Sequence, residues 1–168
     1  VWGSSNGLRA RMLGSTGFFQ GNEQALSNIP LGTRDRRPAI STSQGRWVVV
    51  WDRTPSNTAE PTAIHAVSIQ PPSVGSLVFT VGSERLIEYA TSGYVRSPRT
   101  PRTHLYTQQP RVRVCWERFY TSPAPGDSDV RTAYFTIGPN SLGYFESPAI
   151  VPGAGAIGYD ECDPDIAM

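Results

Sequence analysis

The chain reads as an all-β protein, an antiparallel β-sandwich in a single domain covering residues 1–168. Three observations predict it. The run Arg46–Asp52 alternates Trp47, Val49 and Trp51 with Arg46, Val48, Val50 and Asp52, and side chains alternate across a strand, so bulk falls on both faces. β-branched and indole side chains fit a pleated, buried surface, and the run is too short for a typical helix. A second stretch, Arg111–Tyr120, sets Val112, Val114 and Trp116 against Arg111, Arg113, Cys115 and Glu117, the pattern of a strand with one buried and one wet or paired face. Finally, 16 Gly and 15 Pro break the apolar residues into short runs, which suits many brief strands joined by turns.

Arg46–Asp52 is expected to be a central strand, and losing Trp47 or Trp51 should cost ~3–5 kcal/mol. Taken in order, Val1–Gly7 is a Gly/Ser-rich lead-in and Leu8–Leu13 a short strand or surface arm. Asn22–Ser27 is the best short helical candidate before Pro30. Leu31–Thr42 is a turn feeding a strand, with Pro38 arguing against a central position. Thr54–Pro61 is a polar loop, and Thr62–Ile69 fits either a strand or a short capped helix ended by Pro71-Pro72. Ser76–Val81 and Glu84–Ala90, separated by Gly82-Ser83, suggest a hairpin. Ser92–Pro110, basic and rich in Pro and hydroxyls, is expected to be an exposed loop. Ser122–Asp129 is a turn cluster joining Arg111–Tyr120 to an antiparallel neighbour, Arg131–Ile137. Leu142–Phe145 reads as extended, Ala149–Ala156 is broken by Gly and Pro, and Ile157-Gly158-Tyr159 offers a last strand. The count is about eight strand candidates, without an internal repeat.

A formal charge of +1 announces neither a nucleic acid nor a membrane partner. All 15 basic side chains are arginine, however, the residue favoured at ion-paired interfaces and on phosphates, and its excess is equally what a GC-rich gene would give. No signal-peptide pattern opens the chain and no apolar run approaches the ~20 residues that span a bilayer, so a soluble protein is expected. Cys115 and Cys162 could form one disulfide, but buried free thiols are the favoured reading.

No catalytic constellation stands out. His65 and His104 form no spaced metal pair; His65 reads as structural and His104 as a solvent or anion contact. Serines lack a nucleophile elbow, Cys115 with His104 is a remote nucleophile pair, and Asp52 with Glu60 is a weak acid/base candidate, since Asp52 more easily caps or ion-pairs. The acidic end, Asp160-Glu161-Cys162-Asp163-Pro164-Asp165, has oxygen ligands for calcium but no EF-hand spacing, and a solvated tail is favoured. No metal or cofactor is expected. The arginines cluster as Arg9/Arg11, Arg34/Arg36/Arg37, Arg96/Arg99/Arg102 and Arg111/Arg113, able to bind phosphates without reading bases or to ion-pair across subunit contacts.

Gly32-Thr33 through Arg36-Arg37 and Ile40, then Arg46–Pro55, then Pro61, Ile64 and Val67, resembles the first half of coat proteins of small icosahedral viruses, such as plant satellite viruses and geminiviruses. The resemblance implies an eight-stranded jelly roll, a homo-oligomeric shell, and location in the virion. It also implies viral nucleic acid held through arginines, here Arg9, Arg11, Arg34, Arg36 and Arg37. Such coats usually carry a long basic arm, of which only Arg9 and Arg11 are candidate remnants here, leaving a projecting receptor-binding domain as an alternative. A second is a β-sandwich binding glycan through Tyr94, Tyr106, Tyr120 or Tyr144. The weakest is a hydrolase using Asp52 or Cys115.

Overall fold

The computed structural model describes residues 1–4, 7–73, 76–100, 110–121, 127–138 and 140–150. These residues contain strands and no helix, and every strand pairing among them is antiparallel. The expected turn over 122–126, the segment beyond Ile150, the strand at Ile157-Gly158-Tyr159 and the acidic end lie outside them.

Three sheets form. Sheet I joins β1 (Trp2–Ser4), β2 (Gly7–Leu13) and β3 (Phe19–Ala25) in that order. Sheet II joins β4 (Thr33–Ser43), β5 (Arg46–Pro55) and β6 (Ala63–Gln70), and both β7 (Thr80–Val81) and β8 (Arg85–Tyr89) lie along the free edge of β6. Sheet III joins β9 (Tyr94–Arg99), β10 (Arg111–Phe119), β11 (Ser128–Ile137) and β12 (Leu142–Ile150). The described residues thus hold twelve strands where about eight were expected. Apart from β8, which pairs with β6, strands adjacent in a sheet are consecutive in the chain, and the Greek-key crossing of a jelly roll is not among the described pairings.

Sheet II is the middle layer because β5 is apolar on both faces. Val49 and Trp51 share a buried cluster with Leu8, Ala10 and Leu26 of the sheet I side. Val48 and Val50 share the other cluster with Val112, Val114, Trp116 and Phe135 of sheet III. Burying each valine contributes roughly 1.5–3 kcal/mol. The turn that starts β5 is made by Gln44-Gly45, both with positive φ (48° and 74°), as a two-residue type I′ hairpin requires.

Several local expectations give way to tertiary contacts. Asn22–Ser27 is not helical: β3 runs through it, and the Gln24 side chain bonds the main chain of Phe79 at both N and O. Thr62–Ile69 resolves as strand. The hairpin of Ser76–Val81 with Glu84–Ala90 does not form; Val81 pairs with Ile69 and Tyr89 with Ala63, so β7 and β8 are one interrupted edge strand. Within Ser92–Pro110, Tyr94–Arg99 is a strand rather than exposed loop, paired to β10.

The register also reveals a repeat that the sequence reading did not find. Trp2 stands opposite Arg9, Trp51 opposite His65, and Trp116 opposite Arg131. β1, β5 and β10 are therefore equivalent, as are β2, β6 and β11. The first strands match too: Arg36 faces Asp52 on β5, and Arg96 faces Glu117 on β10. Each first strand then bulges by one residue, at Arg37-Pro38 and at Ser97-Pro98.

Candidate functional site

The repeated triplets Trp51-Asp52-Arg53 and Trp116-Glu117-Arg118 place a buried acid and a buried arginine side by side on β5 and again on β10. Alternation along β5 sends Trp51 and Arg53 toward sheet I and Asp52 toward sheet III. One strand therefore supplies two separate charged nodes.

The first node is Asp52, which is fully buried. Arg37 Nε lies 2.8 Å from its Oδ2, yet neither carboxylate oxygen has a well-aligned hydrogen bond. Burial pushes the carboxyl up to about 6 from 3.8, against the pull of Arg37, the main chain of Ser97 and Arg36. Arg37 and Ser97 are the two bulge residues, and both have positive φ (48° and 54°) without being glycine. Such backbone costs of order 1–3 kcal/mol per residue and persists only where the surroundings hold it.

Around this node, Arg36 is half-buried and Arg34 is exposed, reaching the Thr58 carbonyl at 3.4 Å. In sheet III Arg96, the counterpart of Arg36, pairs with the acid it faces: Arg96 Nε donates to Glu117 Oε2 at 2.6 Å, and that hydrogen bond raises the Arg96 pKa. The Arg96 guanidinium also lies 4.3 Å from the centre of the Phe119 ring.

The second node is Arg53. It grips Asp35 with two hydrogen bonds (2.7 and 3.0 Å) and donates to Glu84 Oε1 at 2.7 Å. His65 Nδ1 sits 2.8 Å from the same Glu84 oxygen, with the imidazole stacked on Trp51. Burial alone would raise Glu84; His65 and Arg53 overcome it and hold the carboxyl at about 2. An open cleft of about 360 Å³ borders this node, lined by Ala25, Leu26, Ser27, Asn28, Gly82 and Glu84. Sheet III repeats the theme: Glu88 accepts from Trp116 Nε1 (2.5 Å) and Arg131 (3.1 Å), with Arg118 at 3.6 Å.

Within both nodes the charged side chains brace one another across strands. His65 is turned toward Glu84. Cys115 is a buried free thiol whose Sγ is 3.8 Å from the Arg99 carbonyl oxygen. Glu60 is exposed while Asp52 is closed off by Arg37. Among the described residues no three His, Cys, Asp or Glu side chains converge as metal ligands.

Of the arginines expected to bind nucleic acid, the structure groups Arg34, Arg36 and Arg37 on β4. Arg9 and Arg11 stand apart, on the outer face of sheet I, because they alternate with the buried Leu8 and Ala10. There Arg9 meets Glu23 at 3.6 Å, and Arg11 donates to the Gly21 carbonyl and lies over Phe19. Arg96, in a cluster the sequence assigns to an exposed loop, stands on β9 at the place that Arg36 holds on β4; the shared pattern Arg36-Arg37-Pro38 and Arg96-Ser97-Pro98 was the available signal. Tyr94 is stacked on Phe119, and the Tyr120 hydroxyl donates to Asp129. Tyr106, His104, Arg102, Cys162, Asp160–Asp165 and the side chain of Tyr144 lie outside the described residues. Comparison of the chain with protein-family models, curated proteins and solved structures finds no match.

Proposed function

We propose that the chain is a binding module built from repeated antiparallel sheets stacked like the blades of a β-propeller, and that its first strands hold a ligand bearing carboxylate or sulfate groups. One observation carries the ligand class. Arg37, Arg53 and Arg96 are each matched by a carboxylate, whereas among the described residues Arg34 and Arg36 on β4 have no carboxylate within ion-pair distance. A planar guanidinium fork suits such oxyanions. With a net charge of +1, short-range recognition of a few acidic groups fits better than a long nucleic-acid track, which needs many phosphate contacts.

The coat-subunit reading draws on the resemblance over Gly32–Val67 alone, and the consecutive strand order lends it no topological support. Chromatography on a sulfated oligosaccharide resin tests the binding proposal. The unaltered chain should be retained at low salt, R34A/R36A should flow through, and R9A/R11A should be retained. Flow-through of the unaltered chain, or equal loss in both variants, contradicts it. Preferential displacement by single-stranded DNA would point to nucleic acid instead, and icosahedral particles in electron micrographs would favour the coat.

A further inference from the structure

We infer that the oxyanion site on β4 is gated by the proton on Asp52, a refinement that rests on the binding reading above: with the acid neutral, Arg37 leaves it and joins Arg34 and Arg36 on the ligand. Arg34 and Arg36, two residues apart on β4, share a face, and Arg36 stands directly opposite Asp52 on β5, so all three lie on the same side of the sheet. Strand alternation would send Arg37 to the other side. The bulge and its left-handed backbone (φ 48°) turn the side chain back onto the Asp52 carboxyl instead. There Arg37 Nε lies 2.8 Å from Oδ2 while 39% of the arginine side chain remains open to solvent, so the guanidinium can exchange a buried acid for an external one.

Asp52 is the gate because so little else holds its charge. Asp35 accepts two hydrogen bonds from Arg53, and Glu117, just as buried as Asp52, accepts one from Arg96 at 2.6 Å. Asp52 has neither oxygen in a well-aligned bond. The charged groups acting on it are Arg37 and Arg36 of β4; β6 sets Ile64 opposite it, and β9 offers the main chain of Ser97. Glu117 of β10 is taken by Arg96, and His65 and Glu84 are gathered with Arg53 in the other node. An ionised Asp52 in this setting needs Arg37, and a neutral one does not. Burial places the changeover at about 6, a range in which sulfate esters keep their charge. Ligand and Asp52 thus compete for one guanidinium, and by reciprocity binding the ligand draws a proton onto Asp52.

Calorimetric titration of the full chain with a sulfated oligosaccharide, at pH 5 and pH 8 and fixed ionic strength, tests the gate. Binding should be roughly tenfold tighter at pH 5, the size of one added charge-assisted contact. Near neutral pH it should also take up a proton, read from the dependence of the heat on the buffer. Asp52→Asn should bind at pH 8 as the unaltered chain does at pH 5, without proton uptake. Arg37→Asn, whose side chain tolerates the left-handed backbone, should lose the tightening at pH 5. Because Arg37 is partly exposed, this second variant decides the matter even if Asp52→Asn fails to fold. Equal affinity of the unaltered chain at the two pH values overturns the gate and leaves the binding reading standing, as does a pH effect that either variant retains. Absence of binding at both pH values ends the two together.

Discussion

Arg37 and Ser97 occupy the same place in successive sheets: each is a left-handed, non-glycine residue immediately before a proline, and the two close on Asp52 from different sheets. Sheet II and sheet III are thereby joined at a strained point rather than by apolar packing alone. A β-branched residue tolerates this backbone least, and glycine tolerates it best. Ser97→Val should therefore lose ~1–3 kcal/mol in urea denaturation, whereas Ser97→Gly should be near neutral or gain up to ~1 kcal/mol. Equal losses from both would mean that the bulge is not where the strain resides.

Three tryptophans at one register position offer an internal control. Trp51 and Trp116 are fully buried and Trp2 is not. Trp51→Ala and Trp116→Ala should each cost ~3–5 kcal/mol, the latter also stripping Glu88 of its indole donor. Trp2→Ala should cost less than ~1 kcal/mol in the isolated chain, because it vacates no enclosed space. Guanidinium midpoints with unchanged m-values would measure all three.

The two perturbed carboxyls bend the pH dependence of stability in opposite directions. Asp52 binds its proton more tightly folded than unfolded, so between pH 3.8 and about 6 its contribution falls as pH rises and is flat above that window. At ~1.4 kcal/mol per pKa unit the loss is of order 3 kcal/mol. Glu84 is the reverse: its contribution is present above pH 4.5 and is lost as pH falls toward about 2. Asp52→Asn should remove the decline through the upper window, leaving the variant relatively more stable at pH 8 than at pH 4. Glu84→Gln should flatten the acid limb. Parallel pH profiles for wild type and Asp52→Asn would contradict the assignment.

What the sequence made legible was whatever a single strand encodes by itself. The two-sided apolar pattern of Arg46–Asp52 and the alternation of Arg111–Tyr120 both identify strands, because burial on each face is written in residue type. What failed was written across strands. Gln24 gives its segment polar, helix-compatible chemistry, and the pairing with β2 and the main chain of Phe79 make it a strand. Arg96 and Ser97 look like loop residues until Glu117 and Asp52 are placed beside them. The repeat was hidden because its recurring residues are few, a tryptophan, an acid, an arginine and a proline, and the connections between them differ in length.

The claim on which the rest stands is that β5 lies between two sheets. Methyl-to-aromatic nuclear Overhauser measurements with valine labelling test it most directly. Val48 and Val50 methyls should contact Trp116 and Phe135 of sheet III, while Val49 should contact the sheet I side through Leu8 and Leu26. If Val49 and Val50 report the same neighbours, or Val49 faces solvent, the three-layer stack is wrong.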